Sequence, residues 1–400
     1  METKMFHDAA EEAAETIKKG GLIAVPTETV YGLAGNGLNE QAVRQIYEVK
    51  GRPAVKPLSL MVHGAEEIDQ YCVRVPEGAR LLAERFWPGP LTIVLKAKDH
   101  IPSIVLAGGD TVGLRCPDHP LTLRLLEKAG IPFAAPSANP SGADSPKTAE
   151  QVRQYFDGRI DGIVDGGECG IGKESTIISM VQTPYKILRQ GALSEKEIAS
   201  ALAEGLTILG ITGGTGCGKT TALRVLEELG ALIIDCDAVY HRLLTSDREM
   251  LAEIDTAFPG VVSGGALDRK ALGAVVFSDA AALAALNRIT HKYVGREVDR
   301  LLENWAMSGG RLAAIDAIEL FGGGLAGRCK AIFGVLADRE KRIARIMTRD
   351  GITREYAALR VDAQKPDTYF EEKCDHILKN NSTEKEFREK CRSIFLEVID

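Results

Sequence analysis

Between Leu206 and Thr221 the chain reads LTILGITGGTGCGKTT. An apolar, β-prone run from Leu206 to Thr212 opens into Gly213-Gly214-Thr215-Gly216-Cys217-Gly218-Lys219-Thr220, which fits G-x-x-x-x-G-K-[ST]. A helical pattern from Thr221 to Leu229 follows and stops at Gly230. Strand, glycine-rich loop and helix in this order are the setting of a phosphate-binding loop. Small residues let backbone N–H groups close around phosphate oxygens, and the helix turns its positive end toward the anion. In such a loop Gly214, Thr215, Gly216, Cys217, Gly218 and Thr221 shape the cradle. Lys219 reaches the β- and γ-phosphates, and Thr220 holds Mg2+. The loop sits in the middle of 400 residues, so a second body of chain precedes it.

That length predicts two or three domains. An apolar fraction of 45% and a charged fraction of 26% belong to ordinary globular protein. No apolar run approaches the ~18 residues of a membrane helix. The opening METKMFHDAAEEAAETIKKGG is polar and acidic, unlike a signal peptide. Eight cysteines are scattered without C-x-x-C, and no His completes a zinc site, which predicts reduced thiols in a cytoplasmic protein. Net charge is −7, with 22 Lys+Arg against 27 Asp+Glu up to Gly205, so bulk charge marks neither half as a nucleic-acid module.

Before the loop, helices are expected over 8–19, 39–49, 77–86, 119–129 and 194–203. Strands are expected over 22–26, 58–62, 91–95, 111–115, 160–165, 175–180 and 185–189. Thr27 to Leu33 reads as a polar turn between apolar runs. Lys50, Arg52 and Lys56 cluster around Gly51, Pro53 and Pro57, either a loop for anions or a solvated basic turn. Ser137 and Asn139 can hydrogen-bond a ligand or merely close a local turn. Gly205 is the natural boundary, giving domains of 1–205 and 206–400.

Taken in order, PTETVYGL, KGRP, KPL, WPGPLT, GLR-P, PSAN-SG, ESTI and LRQG span about residues 10–200. This half resembles the short, YrdC-like threonylcarbamoyl-AMP synthases. The resemblance implies a twisted open α/β sheet with a basic cleft that condenses L-threonine, bicarbonate and ATP to threonylcarbamoyl-AMP and pyrophosphate. A separate transferase then carries the group to tRNA. It implies further that Lys50, Arg52 and Lys56 stabilise phosphate charge. Thr111, Ser137, Asn139, Ser145 and Arg189 would hold ATP, and Thr29, His63, Arg115 and Ser175 would hold threonine. Arg115 is suited to bidentate pairing with the carboxylate.

After the loop, Leu232 to Ile234 reads as a buried strand leaving into Asp235-Cys236-Asp237. Two acids there suit Mg2+ and proton abstraction, although one of them can instead cap the helix expected over 238–244. A long helix is expected over 280–305, strands over 312–315 and 331–336, a cationic helix after Asp338, a helix over 353–364, and a final capped helix from Thr383. No N-K-x-D guanine motif appears, which favours ATP. TGG-x-G-x-GKT, IDCDAVYHRLL, LDRKALG-VVF, LN-ITH, TRDGIT, AQ and NN, in this order, resemble dephospho-CoA kinase across 206–400. The resemblance implies a parallel α/β/α kinase domain with a helical lid, phosphorylating the ribose 3′-hydroxyl of dephospho-CoA. Asp237 would be the base, Lys219 the phosphate clamp, and Arg345 and Arg349 lid residues. Asp235, Arg269 and His291 would face the acceptor. One departure stands out: Gly322 occupies the place of an acid the family commonly carries, with Glu319 nearby as a substitute.

A bifunctional enzyme using ATP and Mg2+ is therefore the leading reading. An RNA-binding first half tethered to a kinase of other acceptor specificity is the alternative.

Overall fold

The computed structural model describes residues 2–7 and 10–399; Met1, Asp8, Ala9 and Asp400, and with them the start of the helix expected over 8–19, lie outside the described residues. The chain divides into two compact units, Met1–Gly205 with Met307–Gly309, and Leu206–Ala306 with Gly310–Asp400.

The first unit is built on an eleven-stranded mixed sheet. Its order runs Lys4–Phe6, Gly162–Val164, Ile23–Val25, Gly32–Asn36, Phe133–Ala134, Ser59–Met61, Thr111–Arg115, Leu91–Ala97, Thr176–Ser179, Lys186–Arg189, with Cys72–Val73 also on Leu91–Ala97. Thr27 to Leu33 is not simply a turn: Gly32–Asn36 is a buried strand, antiparallel to Ile23–Val25 on one side and Phe133–Ala134 on the other. Its core packs Ile17, Ile23, Val25, Leu125 and Phe133 out of water. The helix Glu40–Lys50 is bounded by local chemistry. Asn39 accepts from the backbone N–H groups of Gln41 and Ala42, and Gly51 ends the helix at φ 58°. That stop delivers Lys50 and Arg52 into the loop beyond.

The second unit holds a five-stranded, all-parallel sheet in the order Leu232–Asp235, Leu312–Asp316, Thr207–Thr212, Ala331–Leu336, His376–Lys379. Leu209, Ile211, Phe333 and Val335 face a core completed by Leu226 and by Phe387 and Phe395 of the last helix, Glu384–Ile399. The run 206–212 is central in this sheet, so its near-continuous apolar sequence reflects burial on both faces. Other helices include Cys236–Ser246, Arg248–Ala257, Arg269–Val276, the 28-residue Ala280–Met307, Arg339–Asp350 and Arg354–Asp362. Arg248–Ala257 and the small hairpin Val262–Ser263 with Ala266–Leu267 were not expected from the sequence. Among the described residues no helix is long and apolar enough to cross a membrane.

Candidate active sites

In the second unit the strand Thr207–Thr212 ends at the glycine loop, and the helix Lys219–Glu228 starts directly after it. Gly218 adopts φ 101°, and a Cβ there would lie 2.0 Å from Asn380 Nδ2, so both conformation and space demand glycine. The loop is braced from outside. Thr215 N donates to Gln364 Oε1 at 2.9 Å, and Gln364 Nε2 donates to Thr215 Oγ1 at 2.8 Å. Arg342 Nε donates to Thr215 O at 3.1 Å, and Asn380 Nδ2 to Cys217 O at 2.9 Å.

The pocket over this loop is lined by Gly214, Thr215, Gly216, Gly218, Lys219, Thr220, Asp237, Ile318, Arg345, Ile346 and Arg349. Lys219 Nζ lies 2.7 Å from Asp316 Oδ1. Parallel register sets Asp316 opposite both Ile211 and Asp235, so two neighbouring strands end in acids side by side. Burial raises the Asp316 carboxyl above its ordinary value, against the pull of Lys219, and Asp235 and Asp237 add to the rise. Arg345 Nη1 donates to Gly216 O and Cys217 O at 3.2 and 3.3 Å, while Arg349 pairs with Asp350. Asp235 is the helix cap, accepting from Ala238 N at 2.9 Å; Asp237, within the helix's first turn, faces the pocket. Cys217 is buried, with its thiol pushed up by burial, and contributes its carbonyl rather than its side chain. Thr221, Arg269 and His291 do not line this pocket. His291 sits beside Gly323, and a Cβ on Gly322 would lie 3.3 Å from Glu319 Oε2, so the Glu319 carboxylate stands next to the missing acid's position.

In the first unit one pocket gathers Arg52, Arg115, Ser137, Ser175 and Arg189, together with Tyr31, Thr92 and Glu174. Arg52 Nη2 donates to Pro57 O at 2.9 Å, and Arg189 Nη2 to Ser175 O at 2.9 Å. Burial lowers Arg189, partly offset by Glu174, and Arg115 and Arg52 lower it further. Three guanidinium groups around one hollow favour an anionic ligand. Arg115 is not free for bidentate pairing. Its Nη2 is 2.7 Å from Glu28 Oε1 and 2.7 Å from Thr29 Oγ1, and its Nε points at Gly89 O. Lys50 lies under the pocket wall rather than in it. It is 3% exposed, and its ammonium donates to the carbonyls of Ser137 and Asn139. Burial, then Arg52, brings its pKa down to about 7. Lys56, Thr111, Asn139, Ser145, Thr29 and His63 do not line the pocket either. Ser145 Oγ instead holds Glu174 at 2.8 Å, and His63 lies beside Glu66. Thr111 stands at the opposite end of its strand from Arg115.

Four residues in these sites went unassigned in the sequence. Asp316 is signalled only by an acid closing an apolar run, Glu28 lies inside the quoted PTETVYGL, and Gln364 and Asn380 lie inside AQ and NN.

One unit is a parallel α/β sheet carrying a braced phosphate loop, and the other is a mixed α/β sheet carrying an arginine-lined pocket. The Sua5/YciO/YrdC family model, described as telomere recombination, matches residues 15–191, and the model described as dephospho-CoA kinase matches residues 207–386. A threonylcarbamoyl-AMP synthase of Pyrococcus abyssi is 47% identical over 192 residues, 48% of this chain and 56% of that protein. One from Marinobacter nauticus is 37% identical over 170 residues, 42% of this chain and 90% of its own length. A dephospho-CoA kinase of Deinococcus radiodurans is 44% identical over 147 residues, 37% of this chain and 70% of that protein. The chain belongs to the Sua5/YciO/YrdC family through its first unit and to the dephospho-CoA kinase family through its second, a fusion of the two. It spans little more than half the length of the Pyrococcus abyssi and Bacillus subtilis synthases it matches.

Proposed function

We propose that residues 1–205 condense L-threonine, bicarbonate and ATP to threonylcarbamoyl-AMP and pyrophosphate, and that residues 206–400 transfer the γ-phosphoryl of ATP to the 3′-hydroxyl of dephospho-CoA. The observation that carries the reading is two separate anion-binding pockets in one chain, each on its own sheet and each with its own enzyme relatives.

In the kinase half the loop amides and Lys219 take the phosphates. Lys219 exchanges Asp316 for phosphate oxygens as ATP enters. Asp237, exposed in the pocket on a helix's first turn, accepts the acceptor hydroxyl's proton during transfer. Thr220 in the pocket, with the Asp316 and Asp235 carboxylates at the ends of neighbouring strands, offers oxygen donors of the kind Mg2+ takes, and the ion would neutralise phosphate charge there. Arg345 and Arg349 extend the positive wall. In the synthase half Arg52 and Arg189 face the ATP phosphates, whose charge grows as pyrophosphate departs, and Arg115 faces the threonine carboxylate. Lys50 acts on ATP through the Ser137–Asn139 wall it supports.

The purified full chain tests both halves. Pyrophosphate release should require threonine and bicarbonate together, and labelled ATP offered to a panel of nucleotide acceptors should mark dephospho-CoA first. RNA binding without threonine-dependent pyrophosphate release would replace the first reading. Preference for another acceptor would replace the second.

A further inference from the structure

The three arginines of the first pocket are not equivalent. Arg52 is held by the main-chain carbonyls of Lys56 and Pro57. Arg189 is held by the carbonyl and hydroxyl of Ser175, and the nearby Glu174 carboxylate is taken by the Ser145 hydroxyl. Neither is paired directly with a carboxylate, although the Glu174 charge acts on Arg189 at longer range. Arg115 alone is paired directly with a carboxylate, at 2.7 Å, with the Arg115 and Glu28 side chains only 9% and 12% exposed. Glu28 is fixed at its other oxygen too, accepting from Asp118 N at 3.0 Å, and its own carbonyl accepts from Ile171 N at 2.8 Å. The carboxylate is therefore fixed against Arg115, outside the residues that line the pocket, rather than a swinging surface acid. Among the described residues Arg115 Nη1 makes no hydrogen bond, so the guanidinium retains donors for a ligand while its charge is already balanced.

We propose that Glu28 is the specificity-determining residue of this pocket. By neutralising Arg115 it reserves that position for the carboxylate of a zwitterionic amino acid and turns away phosphate and other dianions. Recognition at Arg115 then rests on hydrogen-bond geometry, while Arg52 and Arg189 attract by charge. The inference builds on the threonine-dependent reading given above. A pocket of three uncompensated arginines would bind polyphosphate in more than one pose, and a phosphate over Arg115 would block the amino acid. A carboxylate beside Arg115 raises the cost of the dianion more than that of a monoanion, because repulsion scales with ligand charge.

The test is steady-state competition in the full chain, with sulfate as an inert dianion against L-threonine, followed by pyrophosphate release. In the wild type sulfate should compete weakly with threonine. Glu28→Gln keeps the side chain's size and one acceptor oxygen but removes the charge. It should lower the sulfate inhibition constant against threonine at least tenfold and raise the KM for threonine, with the KM for ATP within about twofold of wild type. Glu28→Asp draws the charge back by one methylene and should shift sulfate inhibition the same way by a smaller factor. A merely structural role would lower the melting temperature without creating a new inhibitor. An unchanged sulfate constant against threonine, in whichever of the two variants folds, overturns the proposal. Absence of threonine-dependent turnover in the wild type would instead overturn the reading of the reaction itself.

Discussion

Replacing Lys50 by Met should change how the first unit's stability responds to pH. The ammonium is 3% exposed and has no acid partner, only the carbonyls of Ser137 and Asn139. Its pKa falls from 10.5 to about 7. Between those values the unfolded chain holds the proton and the folded chain has released it, so raising pH favours the folded state. Each unit corresponds to 1.36 kcal/mol, so the whole window is worth about 5 kcal/mol and the accessible stretch from pH 7 to 9 about 2.5 kcal/mol. Met removes this dependence but leaves the buried Asn139 carbonyl without its donor, at about 1–3 kcal/mol, while the Ser137 carbonyl keeps the Asn139 N–H. Near pH 7 the variant should therefore be the more stable of the two, and the wild type should close the gap as pH rises. For a unit of this size 1 kcal/mol is about 2–4 °C, so the melting-temperature gap should move by roughly 5–10 °C between pH 7 and 9. Calorimetry of the full chain, following the transition sensitive to threonine-pocket ligands, provides the readout. Parallel pH profiles for wild type and Lys50→Met would refute the argument, because the lysine would then keep its proton in both states.

Asp237→Asn should lower kcat for dephospho-CoA phosphorylation by about 10²–10⁴-fold, the usual effect of removing a general base, with the Kd for ATP largely kept; near-wild-type turnover would return Asp237 to a helix-end role. Gln364→Ala removes both side-chain bonds to Thr215 and one acceptor of Arg342, none of which touches the ligand directly. With about 0.5–1.5 kcal/mol per bond lost, ATP affinity of the second unit should fall about tenfold in equilibrium titration while threonine-dependent pyrophosphate release stays unchanged; unaltered affinity would show that the loop holds its shape unaided.

What could be read in the sequence was whatever is local. Asn39 and Gly51 mark a helix's ends because a cap and a left-handed stop act on adjacent residues. The apolar strands 91–95 and 111–115 declare themselves by composition and appear as Leu91–Ala97 and Thr111–Arg115. The strand Gly32–Asn36 was hidden because GLAGN has poor β-propensity, and pairing on both sides overrides it. Its glycines serve close packing, for a Cβ on Gly35 would sit 2.9 Å from Leu22 Cδ2. Asp316 gains its meaning from strand adjacency, which no local pattern contains. Arg115 presents the reverse case: its residue type suggested an open anion receptor, and only the fold brings Glu28 against it.

The bracing of the phosphate loop has a consequence for how the kinase half comes into being. Thr215 leans on a residue 149 positions away, and Cys217 on one 163 positions away. Asn380 directly follows the sheet's edge strand His376–Lys379, far along the chain from the loop. A growing or truncated chain can therefore carry the whole glycine-rich signature and its helix yet lack the scaffold that holds them in a receptive shape. The loop begun at residue 213 gains this brace only once residue 380 has docked, which ties the loop's support to completion of the sheet rather than to possession of the motif.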